Sequence, residues 1–265
     1  DQPGLPAYNT VDASLWVFWT LYKYWQYTGD WGFVEDAYPV LRKITDHYES
    51  GTHFGIRMDH DGLITQGEER HALTWMDARV EGWPVTPRSG KPVEINALWH
   101  FALLLDACLA SHLGLPARAR ERIEMAKRVR SSYIEQFWYE EGGYLYDVLR
   151  DDDKDASVRC NQVVAVSLPA RILDARREKA VLQSIWQHLY TAYGLRTLAP
   201  HSLGYRPHYG GNEHERDRAY HQGTVWVWPW GHFATAVNRL LGYSATARRV
   251  IRRMLEPLLI HLGHA

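Results

Sequence analysis

The sequence predicts an all-α protein built from helical hairpins, and three of its patterns indicate this. Apolar residues recur at steps of three and four along several long stretches, which is the period of one helix face. Glycines follow those stretches, where a helix commonly ends in a left-handed residue that glycine adopts easily. Short and long links alternate between the stretches. The terminating glycines are Gly29, Gly51, Gly114, Gly194, Gly242 and Gly263.

The helices follow from these patterns in chain order. An apolar stripe begins at Val11 and recurs through Trp25, which predicts a first helix ending at the first of those glycines. A second stripe from Leu98 to Cys108 predicts a helix that ends near Gly114. Further helices are predicted at 32–50, 116–137, 160–168, 175–193, 221–241 and 244–262, and a short β-hairpin at 142–147.

The lengths of the links predict how these helices are arranged. Links 28–30 and 113–115 are short, so the helices that they join should be antiparallel neighbours. Links 52–74, 138–159 and 195–220 are long, and loops of that length inside a compact domain usually carry function. A ring of helical hairpins gives this alternation when the long loops gather at one rim. We therefore expect a single domain over 1–265, an all-α toroid or a large part of one.

Composition and charge exclude several classes of partner and cofactor. Lys and Arg number 30 against 31 Asp and Glu, a balance that argues against nucleic acids and anionic membranes. No apolar run approaches the roughly 20 residues that span a bilayer, and no signal peptide is visible. The two cysteines show no pairing pattern, so we expect reduced thiols and a cytoplasmic location. No phosphate loop or nucleotide-binding motif occurs, and no cofactor is predicted.

The aromatic residues and one isolated carboxylate suggest a carbohydrate site. There are 12 Trp and 16 Tyr against 6 Phe, an excess of amphipathic rings that favours a wet, ring-lined surface over a purely apolar core. Asp77 follows Trp75 and Met76, and a carboxyl group held against an indole can keep its proton near neutral pH. Such a group can protonate a glycosidic oxygen. The competing interpretation is that Asp77 simply caps a helix or turn.

Other polar and aromatic residues cluster at the predicted helix starts, and their types suit the recognition of sugar hydroxyls. Each has a structural alternative: Asp12 or Thr10 as an N-cap, Glu94 as a complement to the helix dipole, and the rings as packing. Pro229 either kinks the predicted helix 221–241 or marks its start. The clusters contain Asn9, Asp12 and Trp16; Arg88, Lys91, Glu94, Asn96 and Trp99; Asn161 and Gln162; and His221, Gln222, Trp226, Trp228 and Trp230.

A metal site is the rival explanation for one loop that is rich in histidine and acidic residues. It has neither a His-Glu-x-x-His motif nor paired cysteines, so no metal is predicted. The residues concerned are His208, Glu213, His214, Glu215 and Asp217.

Several segments resemble the glucosidase domain of glycogen debranching enzymes of the bacterial and archaeal type. These segments are 8–16, 73–78, 86–99, 194–198, 217–219 and 220–226. The resemblance runs in order from about residue 8 to residue 234. It implies an (α/α)6 barrel, inversion at the anomeric carbon and hydrolysis of α-1,6-linked glucose at branch points of glycogen or limit dextrin. Asp77 falls on the general acid. The residues implied to line the glucose subsite are Asn9, Asp12, Trp16, Trp75, Arg88, Lys91, Glu94, Asn96, Trp99, Asn161, Gln162, His221, Gln222 and Trp226.

The chain also departs from that family's pattern. Val227 interrupts a Trp-Pro-Trp-like run, and the chain stops at Ala265 before the segment that supplies the general base in the family. We therefore expect an incomplete barrel that associates through its open faces. An inverting enzyme needs a second carboxylate roughly 6.5–9.5 Å from the acid. The stand-ins within the chain are Glu94, Glu213, Glu215 and Asp217.

Two other functions stay open at this point. One is a different inverting exo-glycosidase on the same fold, of the glucoamylase or trehalase type. The other is a glucan-binding remnant that kept the aromatic rings but lost the general base.

Overall fold

The computed structural model describes residues 9–151 and 153–263, and its described helices carry the architecture. The helices are α1 (Ala13–Thr28), α2 (Trp31–Ser50), α3 (Val93–His112), α4 (Pro116–Phe137), α5 (Val163–Ser167), α6 (Ala175–His188), α7 (Glu213–Ala219), α8 (Trp228–Leu240) and α9 (Ala245–Leu262).

Four helical hairpins pack side by side. Helix α1 packs on α2, α3 on α4, α5 on α6, and α8 on α9. The first members also pack on one another in the order α1, α3, α5 and α8, which makes them the inner layer. Trp16 of α1 meets Trp228 and His232 of α8, with ring centroids 6.2 and 5.5 Å apart. The predicted all-α class and the arrangement by helical hairpins are confirmed.

The helix ends follow local chemistry. Asp30 accepts a hydrogen bond from the Phe33 backbone N–H at 3.0 Å and so caps α2, and Ser244 caps α9 in the same way through Ala247 at 3.1 Å. Gly29 ends α1 in the left-handed region, at φ 68°.

The terminating glycines do not all act as predicted. Besides Gly29, Gly114 and Gly242 are left-handed at the end of a helical stretch. Gly194 lies instead in a strand, and Gly263 follows α9 in a right-handed conformation with φ −79°.

Helix α3 forms the centre of the core. Trp99 and Leu98 are fully buried in it, and α1, α4 and α5 surround it. With 20 residues it is the one helix in the described parts of the chain that is long and apolar enough to cross a membrane, so the prediction that no apolar run approaches this length was wrong. Most of it is enclosed by other helices, as is typical of a core helix.

Short strands join the long links to one another. They are β1 (Arg57–Met58), β2 (Ile64–Thr65), β3 (Arg79–Val80), β4 (Trp83–Pro84), β5 (Lys91–Pro92), β6 (Trp138–Tyr139), β7 (Tyr144–Leu145), β8 (Val148–Leu149), β9 (Tyr190–Thr191), β10 (Gly194–Arg196) and β11 (Val225–Trp226). All pairings are antiparallel: β1 with β2, β3 with β4, β5 with β8, β6 with β7, and β10 with both β9 and β11. The predicted hairpin near 142–147 corresponds to β6 and β7.

Strand pairing shortens two of the predicted helices. The helix predicted at 175–193 ends at His188, because the next residues form β9 and pair with β10. The helix predicted at 221–241 begins only at Trp228, because Val225 and Trp226 pair with β10. Pro229 therefore marks a helix start rather than a kink. The link predicted at 195–220 contains the unpredicted helix α7.

These loops bring distant segments to one end of the helical layer. Each of the four inner helices is entered from a segment that carries predicted site residues. The backbone N–H of Val11 donates to the carbonyl of Leu73 at 2.8 Å, which ties the start of α1 to the loop that carries Trp75. The candidate site is therefore assembled at the N-terminal ends of the inner helices.

Candidate active site

Trp75 and the 221–228 segment form an aromatic wall. The Trp75 ring meets His221, Trp226 and Trp228 edge-on, with centroid distances of 5.0, 5.9 and 4.8 Å. His221 stacks on Trp226 at 5.7 Å with 21° between the ring planes. Trp226 is held by a hydrogen bond from its indole N–H to the carbonyl of Tyr220 at 3.0 Å. Both Trp75 and Trp226 keep part of their surface open to solvent, so the wall can receive a flat apolar sugar face.

Asp77 lies at the open edge of this wall. Its side chain is 65% exposed, and one carboxylate oxygen, Oδ1, is 3.7 Å from Nε2 of His221. The sequence predicts a carboxyl group enclosed against an indole. The structure leaves it accessible, because Asp77 lies in the loop before β3, outside the packed layer.

His221 is the buried neighbour of this carboxylate. It is 1% exposed, and neither ring nitrogen has a hydrogen-bond partner among the described residues. Burial, with the positive charges of Arg159 and Arg88, lowers the pKa of His221 to about 3. The ring is therefore neutral near neutral pH, and its contact with Asp77 is not a salt bridge. A neutral imidazole has one donor and one acceptor nitrogen, and both are enclosed in this conformation.

Asp12 is a second carboxylate beside the wall. It occupies the N-cap position of α1, yet its side chain makes no capping bond and is largely buried. Burial raises the pKa of Asp12, while hydrogen bonds from the Thr10 hydroxyl and from backbone groups including Trp75 oppose the rise. Of the two neighbours predicted with Asp12, Asn9 is exposed and Trp16 is half-buried against Trp228.

Arg88, Glu94 and Asp147 form a buried ionic network behind the aromatic wall. Arg88 forms a bidentate pair with Glu94, in which Nη2 is 2.6 Å from Oε2, and its Nε donates to Asp147 at 2.9 Å. Burial alone would lower the pKa of Arg88, but the two carboxylates outweigh it and the pKa is raised. Because Arg88 and Glu94 are enclosed, their place is behind the proposed sugar surface rather than on it.

Arg159 and Asn161 connect this network to the wall. Arg159 donates to the His221 carbonyl at 2.9 Å and to Oε1 of Gln222 at 2.8 Å. Asn161 donates to Asp147 at 2.8 Å and accepts from the Trp75 indole N–H at 2.8 Å. Asn161, His221 and Gln222 were predicted from the sequence, whereas Arg159 and Asp147 were not. The sequence does carry a signal for these two residues. Each is a charged residue between two apolar neighbours, a pattern that predicts a buried charge with a partner of opposite sign.

Four further predicted residues are placed outside the wall. Asn96 is fully buried and uses its amide on the backbone of Ile64 and Pro92, at 2.6 to 3.0 Å. Trp99 is fully buried, and its indole donates to the carbonyl of Gly62 at 3.1 Å. Gln162 is buried and bonds to the backbone of two other residues. Enclosed side chains cannot touch a ligand in this conformation, so the subsite predictions for these three lack structural support.

Lys91, the fourth, faces a different cleft. Its ammonium pairs with Asp61 at 2.7 Å and with Asp59 at 2.9 Å. These residues line a cavity of about 630 Å³ whose lining includes neither Trp75 nor Asp77. Lys91 is therefore not brought together with the aromatic wall.

The carboxylates predicted as stand-ins for a general base differ in their surroundings. Glu94 is committed to Arg88, and Glu215 completes a capping box with Asn212 at the start of α7. Glu213 and Asp217 line a cleft of about 430 Å³ between α7 and the β3–β4 hairpin, which directly follows Asp77 in the chain. In the described parts of the chain, no group of three or more His, Cys, Asp or Glu residues is arranged to hold a metal ion.

Comparisons with known proteins place the chain in a family. A family model described as amylo-alpha-1,6-glucosidase matches residues 1–265. Glycogen debranching enzyme of Saccharomyces cerevisiae is 25% identical over 245 residues, which are 77% of this chain and 16% of that protein. N,N'-diacetylchitobiose phosphorylase of Vibrio proteolyticus is 24% identical over 201 residues, 71% of this chain and 24% of that protein. The chain thus spans less than a quarter of the length of these relatives.

A solved structure supports the fold. The structure of a sialidase superposes with a TM-score of 0.63 and 18% identity, covering 86% of this chain and 20% of that one. Because the family match extends over the whole sequence, the chain belongs to the amylo-α-1,6-glucosidase family, a family of glycoside hydrolases.

Proposed function

We propose that this chain supplies the general acid and the sugar-binding wall of a hydrolase that releases α-1,6-linked glucose from branch points of glycogen or limit dextrin. The observation that carries the proposal is the position of Asp77, 3.7 Å from the buried His221 at the open edge of an aromatic wall. Family membership supports the class of substrate. The polar residues that we retain on the open side of the wall are Asn9 and Gln222, and the rings are Trp16, Trp75 and Trp226. Asp12, Asn161 and His221 are enclosed and hold the wall from behind.

The proposed chemistry divides between these groups. A glucose ring stacks on the exposed faces of Trp75 and Trp226, and the enclosed His221 supports the wall from behind as a neutral ring. Asp77 protonates the glycosidic oxygen as the bond to the anomeric carbon breaks. Because its carboxylate is exposed, a branched substrate can reach it without displacing the packed layer.

Inversion requires a second carboxylate that activates water, roughly 6.5–9.5 Å from the acid. Glu213 and Asp217 are the stand-ins to test, since they line the cleft beside the hairpin that follows Asp77. We expect Glu213→Gln or Asp217→Asn to abolish turnover if either is the base. Turnover that survives both substitutions would place the base elsewhere.

The test is glucose release from phosphorylase-limit dextrin by the purified chain. Asp77→Asn should reduce turnover by about 100-fold or more, because general acid catalysis contributes on the order of 10²–10⁴-fold. The matched control is Asp36→Asn, which changes an exposed aspartate on α2. Equal activity in Asp77→Asn and the unmodified chain would contradict the assignment of the acid.

The choice of substrate separates the remaining alternatives. Glucose released from linear maltose or trehalose, but not from limit dextrin, would favour the glucoamylase- or trehalase-type function. Dextrin binding that Asp77→Asn leaves unchanged, without any turnover, would favour a glucan-binding role. One relative is named a phosphorylase, so the assay is run with and without phosphate, and glucose 1-phosphate is measured beside glucose.

A further inference from the structure

The aromatic wall has two halves, Trp75 and the 221–228 segment. The carboxylate of Asp147 lies where these two halves are connected. Asp147 is 2% exposed and directly precedes β8 in the chain. The backbone on both sides is fixed, since its N–H donates to the carbonyl of Asp155 at 2.8 Å and its carbonyl accepts from Val93 at 3.0 Å. The carboxylate therefore presents its two oxygens at a fixed point in the interior.

One oxygen of Asp147 determines how Asn161 is oriented. A carboxylate can only accept, so the side of the Asn161 amide that faces it at 2.8 Å must be the NH₂ group. The amide oxygen then points the other way, where it accepts the Trp75 indole N–H at 2.8 Å. Without Asp147, the Asn161 NH₂ group keeps only the weak acceptor Sδ of Met76, at 3.5 Å, among the described residues. The amide is then less firmly held, and the Trp75 indole N–H loses a fixed partner.

The other oxygen of Asp147, Oδ2, accepts from Nε of Arg88 at 2.9 Å and also faces Arg159, the residue that holds the opposite half of the wall. Nε of Arg159 is 3.7 Å from Oδ2 of Asp147 and has no hydrogen-bond partner in the described parts of the chain. The far end of the same guanidinium holds the His221 carbonyl and Gln222. With Arg88 and Glu94, the buried charges sum to zero, and Asp147 supplies the negative charge that balances Arg159.

We propose that Asp147 is a positioning residue that sets the distance between the two halves of the wall, acting on Trp75 through Asn161 and on His221 and Gln222 through Arg159. The inference rests on the proposed function only in taking this wall to be the sugar surface. Asp147 does not touch the substrate. Its effect on catalysis passes entirely through the side chains that it orients.

A second buried carboxylate provides the matched control. Asp106 is fully buried and also faces two arginines, Arg118 at 2.7 Å and Arg122 at 3.3 Å. It accepts further bonds from Tyr38 and Thr45 of α2 and has no bond to the aromatic wall. Asp106→Asn therefore disturbs a comparable buried charge without releasing either half of the site.

The test follows the indole N–H resonance of Trp75 in ¹⁵N-labelled protein, assigned by its loss in Trp75→Phe. In Asp147→Asn and in Asn161→Ala, we expect this resonance to shift more than any other indole resonance. In Asp106→Asn, we expect it to stay in place. An unmoved Trp75 resonance in Asp147→Asn, or an equal shift in Asp106→Asn, would overturn the proposal.

A charge-balanced variant keeps the test decisive if Asp147→Asn does not fold. Asp147→Asn combined with Arg159→Gln removes one charge of each sign and leaves the Arg88–Glu94 pair intact. Its Trp75 resonance should shift as in Asn161→Ala, and an unmoved resonance would again overturn the proposal. Because this measurement needs no substrate, it stands even if the chain releases no glucose.

Activity adds a second measurement where turnover is present. Displacing catalytic groups by about 1 Å can cost on the order of 100-fold in rate. We expect kcat/KM for limit dextrin to fall by about that factor in Asp147→Asn and by less than about threefold in Asp106→Asn. Equal losses in the two variants would show that Asp147 acts only through stability.

Discussion

The buried Arg88–Glu94 pair predicts a pH-dependent loss of stability when Arg88 is replaced by glutamine. Burial raises the pKa of Glu94, and the bidentate contact with Arg88 opposes that rise. In Arg88→Gln, the opposition is gone and Glu94 has to take up a proton to stay in the core. Asp147 keeps Arg159 and Asn161 as partners.

The magnitude follows from the cost of that proton. A glutamate with an ordinary pKa of 4.5 costs about 1.4 kcal/mol to protonate for each pH unit above that value. Because the pKa of Glu94 is already raised in the unmodified chain, the free energy of unfolding should fall by at most about 3.4 kcal/mol at pH 7. At pH 5 the loss should shrink to about 0.7 kcal/mol.

The sign is fixed by proton linkage. In the variant, the folded state binds one proton more than the unfolded state above pH 4.5, so raising the pH destabilises the fold. Other carboxylates titrate in both proteins, so the relevant quantity is the difference between variant and unmodified chain. Urea unfolding of both at several pH values measures it.

Arg118→Gln is the control for this prediction. Its partner Asp106 keeps Arg122, Tyr38 and Thr45 as donors, so this buried carboxylate stays paired. The loss should be smaller and nearly independent of pH. A loss in Arg88→Gln that is the same at pH 5 and pH 7 would refute the reasoning.

Three further predictions concern single positions. Gly90→Ala should lower the unfolding temperature markedly, because the added carbon would lie 2.3 Å from the Leu149 carbonyl oxygen at φ +108°; Gly82→Ala, at φ +79° with nothing within 4 Å, should show only the smaller backbone cost of about 1–2 kcal/mol. Ser244→Ala should reduce the free energy of unfolding by about 1 kcal/mol in urea titrations, because α9 loses its N-cap. His221 has its pKa lowered to about 3, so NMR should show no protonation of its ring until the pH approaches that value. Below pH 6.5 the unfolded imidazole takes up a proton and the folded one does not, so His221→Gln should lessen the stability that is lost as the pH falls. An NMR midpoint near 6.5 would contradict the burial of His221.

Periodicity predicted the long helices well because their apolar faces are local properties of the chain. It failed at 189–193 and 221–227, where strand pairing between distant segments overrides the local preference. The segment with Trp226 satisfies the helical pattern, yet its backbone bonds to β10. Such pairing depends on which loops the helices bring together, and no short window of sequence contains that information.

The candidate site divides in the same way. The sequence by itself determined the hairpin class, the residue types of a sugar-binding surface, and Asp77 as the carboxylate to test. Only the tertiary structure decided that Trp75, His221 and Trp226 share one wall, that Asn96 and Trp99 are enclosed by packing, and that Asp147 and Arg159 connect the wall to a buried ionic network. The physical reason is that composition and periodicity are carried by neighbouring residues, whereas burial and charge pairing arise from contacts between segments far apart in the chain.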